Sequence, residues 1–467
     1  MVSIDVLPDD VLLHIFDTYR HENLKLVPHL WAWKSLIHVC RRWRRVVFGS
    51  PRRLDLRLLC RYQTRSRDML DIWPALPLII HGNMYHSVVY SARSVDNIVA
   101  ALECTDRVCF IKLRLHTASV WEIHLAAMQQ PFPKLTHLYL DWIDEIDQAT
   151  VVPDSFLGGS APRLESLKLY GVPFPGMPKL LLSTTHLVHL LLSDIPHSGY
   201  ISPEAMVAAL STLTSLEYLT LTFESPESCP DLETRRLPPS ARSVLPVLRF
   251  FQFKGVTEYL EDLVTDFDAP QLNTLNITFS NDIVFDTPQL IRFISRTPML
   301  GALEKAVIIP NNHYTGVTFG SRTDEILKVF ILCKELDWQL SSLEQVCTSF
   351  LPFLSTLKGL YFRESHSYPL DRNDNIENSS WLGLLHSFTT VKNLYICKKV
   401  ARYIGPALQE LVEGRTTEVF PTLENIFLEG LEPSGPVQEG IGHFVAARQV
   451  VGHRIAVSDW ADPYNVW

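Results

Sequence analysis

Residues 133–140 read Pro-Lys-Leu-Thr-His-Leu-Tyr-Leu, and residues 162–169 read Pro-Arg-Leu-Glu-Ser-Leu-Lys-Leu. Both segments place an apolar residue two positions after the proline, then again three and five positions further on. Alternation of apolar and polar residues at the end of such a segment is typical of a half-buried strand. Clear copies of this template have the central apolar residues Leu138, Leu167, Leu190, Leu219, Phe251, Leu275, Leu360, Leu394 and Ile426. Less clear copies are centred on Leu76, Leu113, Ala306 and Phe330.

Spacing and prolines distinguish this template from a chance pattern. With 46% apolar residues, three apolar positions coincide by chance in about one window in ten. The central residues, however, recur every 23 to 37 positions, and five copies share the leading proline. We expect each of these prolines to end a helix and to set the next residues extended. Ser202-Pro203 and Thr287-Pro288 each pair an N-cap residue with proline at the first helical position, and so predict helix starts between strands.

Strand, turn and helix repeated at an average of about 29 residues form the leucine-rich-repeat pattern. It predicts an α/β solenoid over residues 54–467, an irregular horseshoe with a mostly parallel sheet. The asparagine or cysteine of regular repeats is replaced by Ile143, Val172, Ile195 and Glu224 in four copies, so the repeats are degenerate. A terminal helix–strand unit at about 437–458 is expected to cap the array, since end repeats shield the core from water.

Side chains alternate across a strand, so the residue between the last two apolar positions of each copy should face outward. The predicted outward residues are Tyr139, Lys168, Leu191, Thr220, Gln252, Asn276, Val307, Ile331, Tyr361, Tyr395 and Phe427. Aromatic residues concentrate in the last three copies, with Arg363 beside Tyr361. Tyrosine and arginine are frequent interface anchors, so Tyr361, Arg363, Tyr395 and Phe427 are the predicted target-binding residues. The alternative is that these side chains lie under a loop and only pack.

The first fifty residues follow a different pattern. Residues 7–19 read Leu-Pro-Asp-Asp-Val-Leu-Leu-His-Ile-Phe-Asp-Thr-Tyr. Pro8 suits the first turn of a helix, and Asp9 and Asp10 complement its dipole. A second helix is predicted from about Trp31 to Val47, with arginines crowded into its C-terminal half. Two short amphipathic helices cannot bury their apolar faces alone, so they need another surface.

This N-terminal segment resembles the F-box motif, on the residues Leu7-Pro8-Asp9-Asp10-Val11-Leu12-Leu13-His14-Ile15-Phe16 and Val39-Cys40-Arg41-Arg42-Trp43. The chain is similar to the large group of F-box proteins of fungi, those of mushroom-forming (basidiomycete-type) fungi included. The residues on the family's signature positions are Leu7, Pro8, Leu12, Ile15, Val39, Cys40 and Trp43. Tyr19 departs from the usual leucine, and an enlarged loop is expected from Arg20 to Leu30.

The resemblance implies an all-α F-box domain at residues 4–53 that binds a Skp-family adaptor, and through it cullin and RING subunits. It also implies that the repeat region binds an unknown protein target. The chain would then be the non-catalytic substrate-recognition subunit of an SCF-type ubiquitin ligase, in the cytoplasm, the nucleus or both. One alternative is that the N-terminal helices only cap the solenoid. Another is a leucine-rich-repeat scaffold, a protein-interaction solenoid without a ubiquitin role.

Composition favours neither nucleic acid nor membrane as a partner. The net charge of −9 argues against nucleic acid as a general partner. The ten arginines between Arg41 and Arg67 could form a nucleic-acid patch. Because they are interleaved with apolar residues, a solvated helix face explains them better. No apolar stretch reaches the roughly 18 residues of a membrane span. Eight scattered cysteines without a Cys-x-x-Cys pair predict free thiols and no structural zinc. No catalytic motif or cofactor fingerprint stands out, so neither an enzyme nor a cofactor is expected.

Overall fold

The computed structural model describes residues 6–22, 32–82, 92–143, 150–225, 242–280, 287–301, 303–311, 314–321, 324–333, 336–364, 377–412, 415–430 and 435–460. The chain divides into two compact units, Met1–Ile201 and Ser202–Trp467. The sequence-predicted boundary between residues 53 and 54 separates a helical module from the repeats, and it stays a prediction.

The first unit begins with short helices and continues as a parallel sheet with helices between strands. Its helices are α1 (Asp9–Glu22), α2 (Ala32–Ile37), α3 (Arg41–Gly49), α4 (Ser66–Ile72), α5 (Ala92–Leu102), α6 (Ala118–Ala127) and α7 (Met177–Leu181). Its strands are β1 (Leu58–Cys60), β2 (Leu78–Gly82), β3 (Val108–Leu115), β4 (His137–Trp142), β5 (Ser166–Tyr170) and β6 (His189–Ile195). Each strand pairs in parallel with the next one along the chain.

The second unit continues the alternation of strands and helices. Its helices are α8 (Pro203–Leu210), α9 (Thr257–Thr265), α10 (Pro288–Arg296), α11 (Leu336–Ser349), α12 (Leu351–Leu354), α13 (Asn378–His386), α14 (Lys398–Gln409) and α15 (Pro436–Val450). Its strands are β7 (Tyr218–Phe223), β8 (Ser243–Val244), β9 (Phe250–Gly255), β10 (Phe267–Asp268), β11 (Thr274–Phe279), β12 (Lys305–Pro310), β13 (Tyr314–Gly320), β14 (Glu325–Leu332), β15 (Gly359–Phe362), β16 (Asn393–Ile396), β17 (Asn425–Glu429) and β18 (Ala456–Trp460). The main sheet runs in the order β7-β9-β11-β14-β13-β12-β15-β16-β17-β18, and β8 pairs separately with β10.

The α/β solenoid predicted from the repeats is confirmed by this strand order. Equivalent leucines of neighbouring copies lie in register, with Leu138 beside Leu167 and Leu167 beside Leu190. The central leucines Leu138, Leu167, Leu190, Leu219 and Leu275 are 0–1% exposed. Burial of each such side chain stabilises the fold by roughly 1.5–3 kcal/mol. The core is therefore a stack of leucine rows beneath the sheet.

The leading prolines form tight turns at the entry to each strand. A hydrogen bond closes the turn: the N–H of the first leucine donates to the carbonyl oxygen of the residue before the proline, as Leu135 does to Phe132. In four of the five copies this N···O distance is 3.1 Å. In the fifth copy Leu248 bonds to Leu245 at 3.4 Å. Proline thus occupies the second position of a four-residue turn, where its fixed φ angle is favourable. The expectation that these prolines lead straight into extended chain was wrong; the turn comes first.

The sheet of the second unit contains an antiparallel meander. β13 is antiparallel to β12 and to β14, whereas β14 is parallel to β11 and β12 is parallel to β15. Gly316 permits the close pairing, since a Cβ there would lie 2.2 Å from Cδ1 of Phe330. The sheet is therefore mostly parallel, as predicted, with one reversed strand that the repeat pattern did not predict.

The predicted register of the template copy at Leu327 was wrong. Leu327 and Val329 align with the buried Leu275 and Ile277 of β11, and Ile331 aligns with Phe279. Ile331 is 1% exposed, so it belongs to the core and not to the outward row. The apolar template was matched by chance in a strand whose true alternation is Leu-x-Val-x-Ile.

The second predicted helix is two helices. α2 ends at Ile37, and α3 begins at Arg41. Cys40 is the N-cap of α3: its backbone is extended, and its Sγ accepts a hydrogen bond from the N–H of Trp43 at 3.4 Å. A residue that caps a new helix cannot continue the previous one, so the continuous helix from Trp31 to Val47 was wrong.

Two helix starts were predicted, at Ser202 and Thr287, and only Ser202 caps its helix with its own side chain. Ser202 Oγ accepts from the N–H of Ala205, as predicted for α8. At α10, Thr287 is the N-cap residue but makes no side-chain capping bond. Its place is taken by the buried Glu261 of α9, whose carboxylate accepts from the N–H groups of Gln289 and Leu290 at 2.9 and 2.8 Å. Neighbouring repeats are thus joined by a charge-assisted cap.

Candidate functional site

The motif residues of the N-terminal module fall into a buried set and an exposed set. Leu12 is completely buried. Leu7, Cys40 and Trp43 are half-buried, and the Trp43 ring lies 4.7 Å from that of the buried Phe16. Pro8 is exposed, and its carbonyl oxygen accepts the first helical bond of α1 from the N–H of Leu12 at 3.1 Å, which makes it the N-cap.

An ion pair joins the two halves of the motif. Arg42, in the first turn of α3, lies 2.6 Å from Oδ1 of Asp9, at the start of α1. Arg42 also donates to the carbonyl oxygen of Leu7. The Leu7-Pro8 opening and the Val39-Cys40 corner are therefore neighbours in space, although the chain between α1 and α2 lies outside the described residues. The start of α1 and the start of α3 thus lie side by side.

The N-terminal helices carry exposed apolar side chains. Val11, Ile15 and Tyr19 are 39%, 40% and 41% exposed, and their spacing of four residues places them along one face of α1. Val39, at the corner before α3, is 58% exposed. We refer to these four residues as the α1 stripe. Ile15 and Val39 are among the seven predicted adaptor-binding residues, whereas Val11 and Tyr19 were missed. Their spacing of four residues from Ile15 could have indicated that they share its face of α1.

In the second unit, three aromatic residues form a continuous stack on the outward face of the sheet. Tyr361 of β15 is in register with Tyr395 of β16, which is in register with Phe427 of β17. The ring centroids of Tyr361 and Tyr395 are 4.1 Å apart with an interplanar angle of 2°, and those of Tyr395 and Phe427 are 4.4 Å apart at 8°. Strands of a sheet lie about 4.8 Å apart, so identical positions on neighbouring strands suit ring stacking.

Arg363 and Trp460 complete this aromatic cluster. The guanidinium of Arg363 lies 5.7 Å from the centre of the Tyr361 ring. Trp460, the last residue of β18, reaches back over the stack, with its ring 5.4 Å from Tyr395 and 6.2 Å from Tyr361 at angles of 63–65°. All four predicted target-binding residues are thus brought together, and Trp460 was missed. Continuing the strand alternation by two residues beyond Ser458 would have found it.

A cavity of about 440 Å³ opens beside the aromatic cluster. Its lining residues are Glu304, Lys305, Val307, Lys358, Gly359, Tyr361, Arg363, Asn393, Tyr395 and Trp460. Gly359 is in register with Lys305 on one side and Asn393 on the other, so a side chain is missing from the middle of this row. The Tyr361 ring lies beside this gap, since a Cβ at Gly359 would be 3.1 Å from Cε2 of Tyr361. Val307, a predicted outward residue, is 4% exposed at the floor of the cavity.

Reactive groups elsewhere in the described residues do not converge. No group of three or more His, Cys, Asp or Glu side chains there could hold a metal ion. The cysteines of this part of the chain are free, and Cys229 lies outside it. Burial raises the pKa of the Cys60 and Cys397 thiols to about 11, which keeps them protonated and unreactive near neutral pH. Among the helices described, none has the length and apolarity to cross a bilayer.

Two solved structures with low sequence identity resemble the chain. No protein-family model and no curated protein matches the chain. Among solved structures, the chain resembles TLR13 in a TLR13–ssRNA13 complex at 12% identity and a TM-score of 0.31, over 79% of this chain and 45% of the TLR13 chain. It resembles the leucine-rich repeat-containing protein LegL7 from Legionella pneumophila at 13% identity and a TM-score of 0.28, over 83% of this chain and 97% of LegL7. The chain thus spans less than half of TLR13.

Proposed function

We propose that this chain is the substrate-recognition subunit of an SCF-type cullin–RING ubiquitin ligase. In this proposal the N-terminal module binds a Skp-family adaptor, and the aromatic cluster of the repeat region binds a target protein. The chain itself makes and breaks no bonds; it raises the local concentration of the target near enzymes that transfer ubiquitin. It would act in the cytoplasm, the nucleus or both.

The α1 stripe is the observation that carries the adaptor half of the proposal. Helices of a globular protein turn their apolar face toward a core, yet α1 has buried Leu12 and Phe16 on one face and still exposes Val11, Ile15 and Tyr19 on another. A row of exposed apolar residues at one place marks an interaction surface. The stripe lies within the F-box-like motif, which supports an adaptor as the partner.

The aromatic cluster supports the target half. Stacked tyrosines, a tryptophan and an arginine beside a cavity combine the residue types that dominate binding energy at protein interfaces. The strands hold these side chains in fixed register, so little conformational entropy is lost when a partner binds. A rigid, amphipathic surface of this kind suits recognition of a polypeptide.

The adaptor assignment is tested by charge substitution within the α1 stripe. We expect Val11→Asp with Ile15→Asp to abolish co-purification with a Skp-family adaptor, because two carboxylates would be buried unpaired in the interface. Both side chains are partly exposed, so the melting temperature should change by less than about 3 °C. Leu7→Asp with Pro8→Ala should also abolish adaptor binding.

The matched control is Ile123→Asp on α6, which replaces an apolar residue of similar exposure (47%) outside the motif. This variant should bind the adaptor as the wild type does. Adaptor binding that survives the Val11/Ile15 double substitution would contradict the assignment and favour a repeat scaffold without a ubiquitin role.

A further inference from the structure

We propose that the cavity beside Tyr361 binds a short peptide segment in which a carboxylate lies next to a flat apolar side chain. This inference rests on the proposed assignment of the aromatic cluster to target binding. It names the chemistry of the segment that the cluster recognises.

The charges around the cavity favour an anion. Lys305, Lys358 and Arg363 line it, against the single carboxylate of Glu304. Lys358 and Glu304 form an ion pair at 3.6 Å, in which both side chains remain substantially exposed. Three cationic side chains therefore face one carboxylate among the lining residues. The whole chain has a net charge of −9, so this cationic lining is a local feature. Complementary charge selects the partner and increases the association rate.

The aromatic walls favour a flat apolar group beside that anion. In the stack, Tyr361 and Tyr395 turn their faces toward each other, while the Trp460 ring stands at 63–65° to both. The angle between the stack and the Trp460 ring forms an apolar corner. An aromatic side chain or a proline ring can contact both walls, by stacking on one and by its edge on the other.

Gly359 and Asn393 give the cavity its depth and a polar contact. Oδ1 of Asn393 accepts a hydrogen bond from Nδ2 of Asn425 at 2.8 Å, so the Asn393 amide N–H groups are the part that can bind a peptide carbonyl or carboxylate. A Cβ added at Gly359 would lie 3.1 Å from Cε2 of Tyr361, so a larger side chain there would displace the Tyr361 ring and change the shape of the cavity. A volume of about 440 Å³ accommodates a few side chains, not a folded domain.

The test uses the full-length chain and an immobilised array of amidated hexapeptides. The two central positions are fixed and the flanking positions are randomised. Glu-Phe and Phe-Glu centres should be retained at least tenfold more strongly than Gln-Phe or Glu-Ala centres. A second set of peptides ends in phenylalanine, with the C-terminus either free or amidated. It shows whether the anion that binds is a terminal carboxylate or a side-chain carboxylate. A preference for either carboxylate supports the proposal.

Variants connect the binding to the cavity. Gly359→Leu should reduce retention of Glu-Phe peptides at least tenfold. Lys305→Glu with Lys358→Glu should reverse the preference to Lys-Phe centres, and this test remains valid if Gly359→Leu fails to fold. Lys179→Glu, a charge reversal of an exposed lysine in the first unit, is the control and should change nothing.

The proposal would be overturned if the wild type retained lysine-containing peptides, or if it retained only phosphoserine-containing peptides. It would also be overturned if the wild type showed no preference among the peptide centres. Adaptor co-purification is measured on the same protein and separates the two hypotheses. Loss of peptide selectivity with intact adaptor binding overturns only the cavity proposal, whereas selective peptides without adaptor binding overturn only the ligase role.

Discussion

His124 lies on α6 with its side chain completely buried. Its ring is 6.1 Å from that of Tyr62, and neither ring nitrogen has a hydrogen-bond partner among the residues that the structure describes. Burial lowers the pKa of His124 to about 4, because a charged imidazolium would lose its hydration without gaining a partner. The folded state therefore resists a protonation that the unfolded chain accepts near pH 6.5.

This difference predicts a pH-dependent stability. The unfolded state binds more protons between pH 6.5 and 4, so the free energy of unfolding should fall as the pH is lowered through that window. The contribution of His124 alone should reach roughly 3 kcal/mol at pH 4. Urea denaturation at pH 7, 5.5 and 4.5 measures it. His124→Leu should lose less stability on acidification than the wild type, whereas a parallel pH dependence of the two proteins would show that His124 does not titrate in this way. His443→Leu, at an exposed position, is the control.

At the level of the element, Arg448 ties the terminal helix α15 to the turn before β17. It is completely buried, and its guanidinium donates to the carbonyl oxygens of Thr416, Phe420 and Pro421 at 3.1, 2.8 and 3.2 Å. Arg448→Met would leave these acceptors in the core without their donor. We expect the free energy of unfolding to fall by roughly 2–4 kcal/mol in urea denaturation. The exposed Arg454→Met should stay within about 0.5 kcal/mol of the wild type. A loss below about 1 kcal/mol for Arg448→Met would mean that water replaces the arginine.

The elements also show which parts of the fold the sequence could predict. A proline two positions before a leucine, repeated at similar spacing, located strands such as β4, β5 and β17, because one turn and one buried leucine are local properties. The register of β14 was missed because Leu327 pairs with Leu275, a partner that no local pattern identifies. The cap of α10 was missed for the same reason, since Glu261 belongs to another repeat.

In the candidate site, too, features that depend on local sequence were predicted and features that depend on distant partners were missed. Tyr361, Tyr395 and Phe427 were predicted as neighbours because equivalent positions of consecutive repeats lie side by side. The cavity was not predicted, because it lies around Gly359 of β15, between Lys305 of β12 and Asn393 of β16, and no local pattern shows that β12 pairs with β15. Strand alternation places Trp460 on the same face as Ser458, but it does not show that the Trp460 ring reaches Tyr361, three strands away.

At the level of the whole molecule, adaptor binding and target binding are assigned to different parts of the chain and should be separable. Replacing Tyr361, Arg363, Tyr395 and Phe427 together with alanine should leave adaptor co-purification intact. It should also remove those proteins that the wild type captures more strongly when the proteasome is inhibited. Quantitative mass spectrometry of adaptor-bound complexes measures both outcomes. Thr220→Ala with Gln252→Ala, at half-buried outward positions of β7 and β9, is the matched control. Unchanged capture by the fourfold variant would place the target site elsewhere.

The antiparallel meander of β12, β13 and β14 has a consequence for the order in which the second unit folds. In a repeat array, each new strand normally docks on the one made just before it, so structure spreads along the chain in small steps. Leu275 pairs in this way with Phe251, but its other neighbour, Leu327, comes after two further strands. Lys305 likewise pairs with Gly359, beyond the whole meander. Closing such long loops costs more entropy and slows folding. We therefore expect growth of the array to pause at β11 until the three meander strands dock together, which makes this segment a kinetic barrier in an otherwise stepwise process.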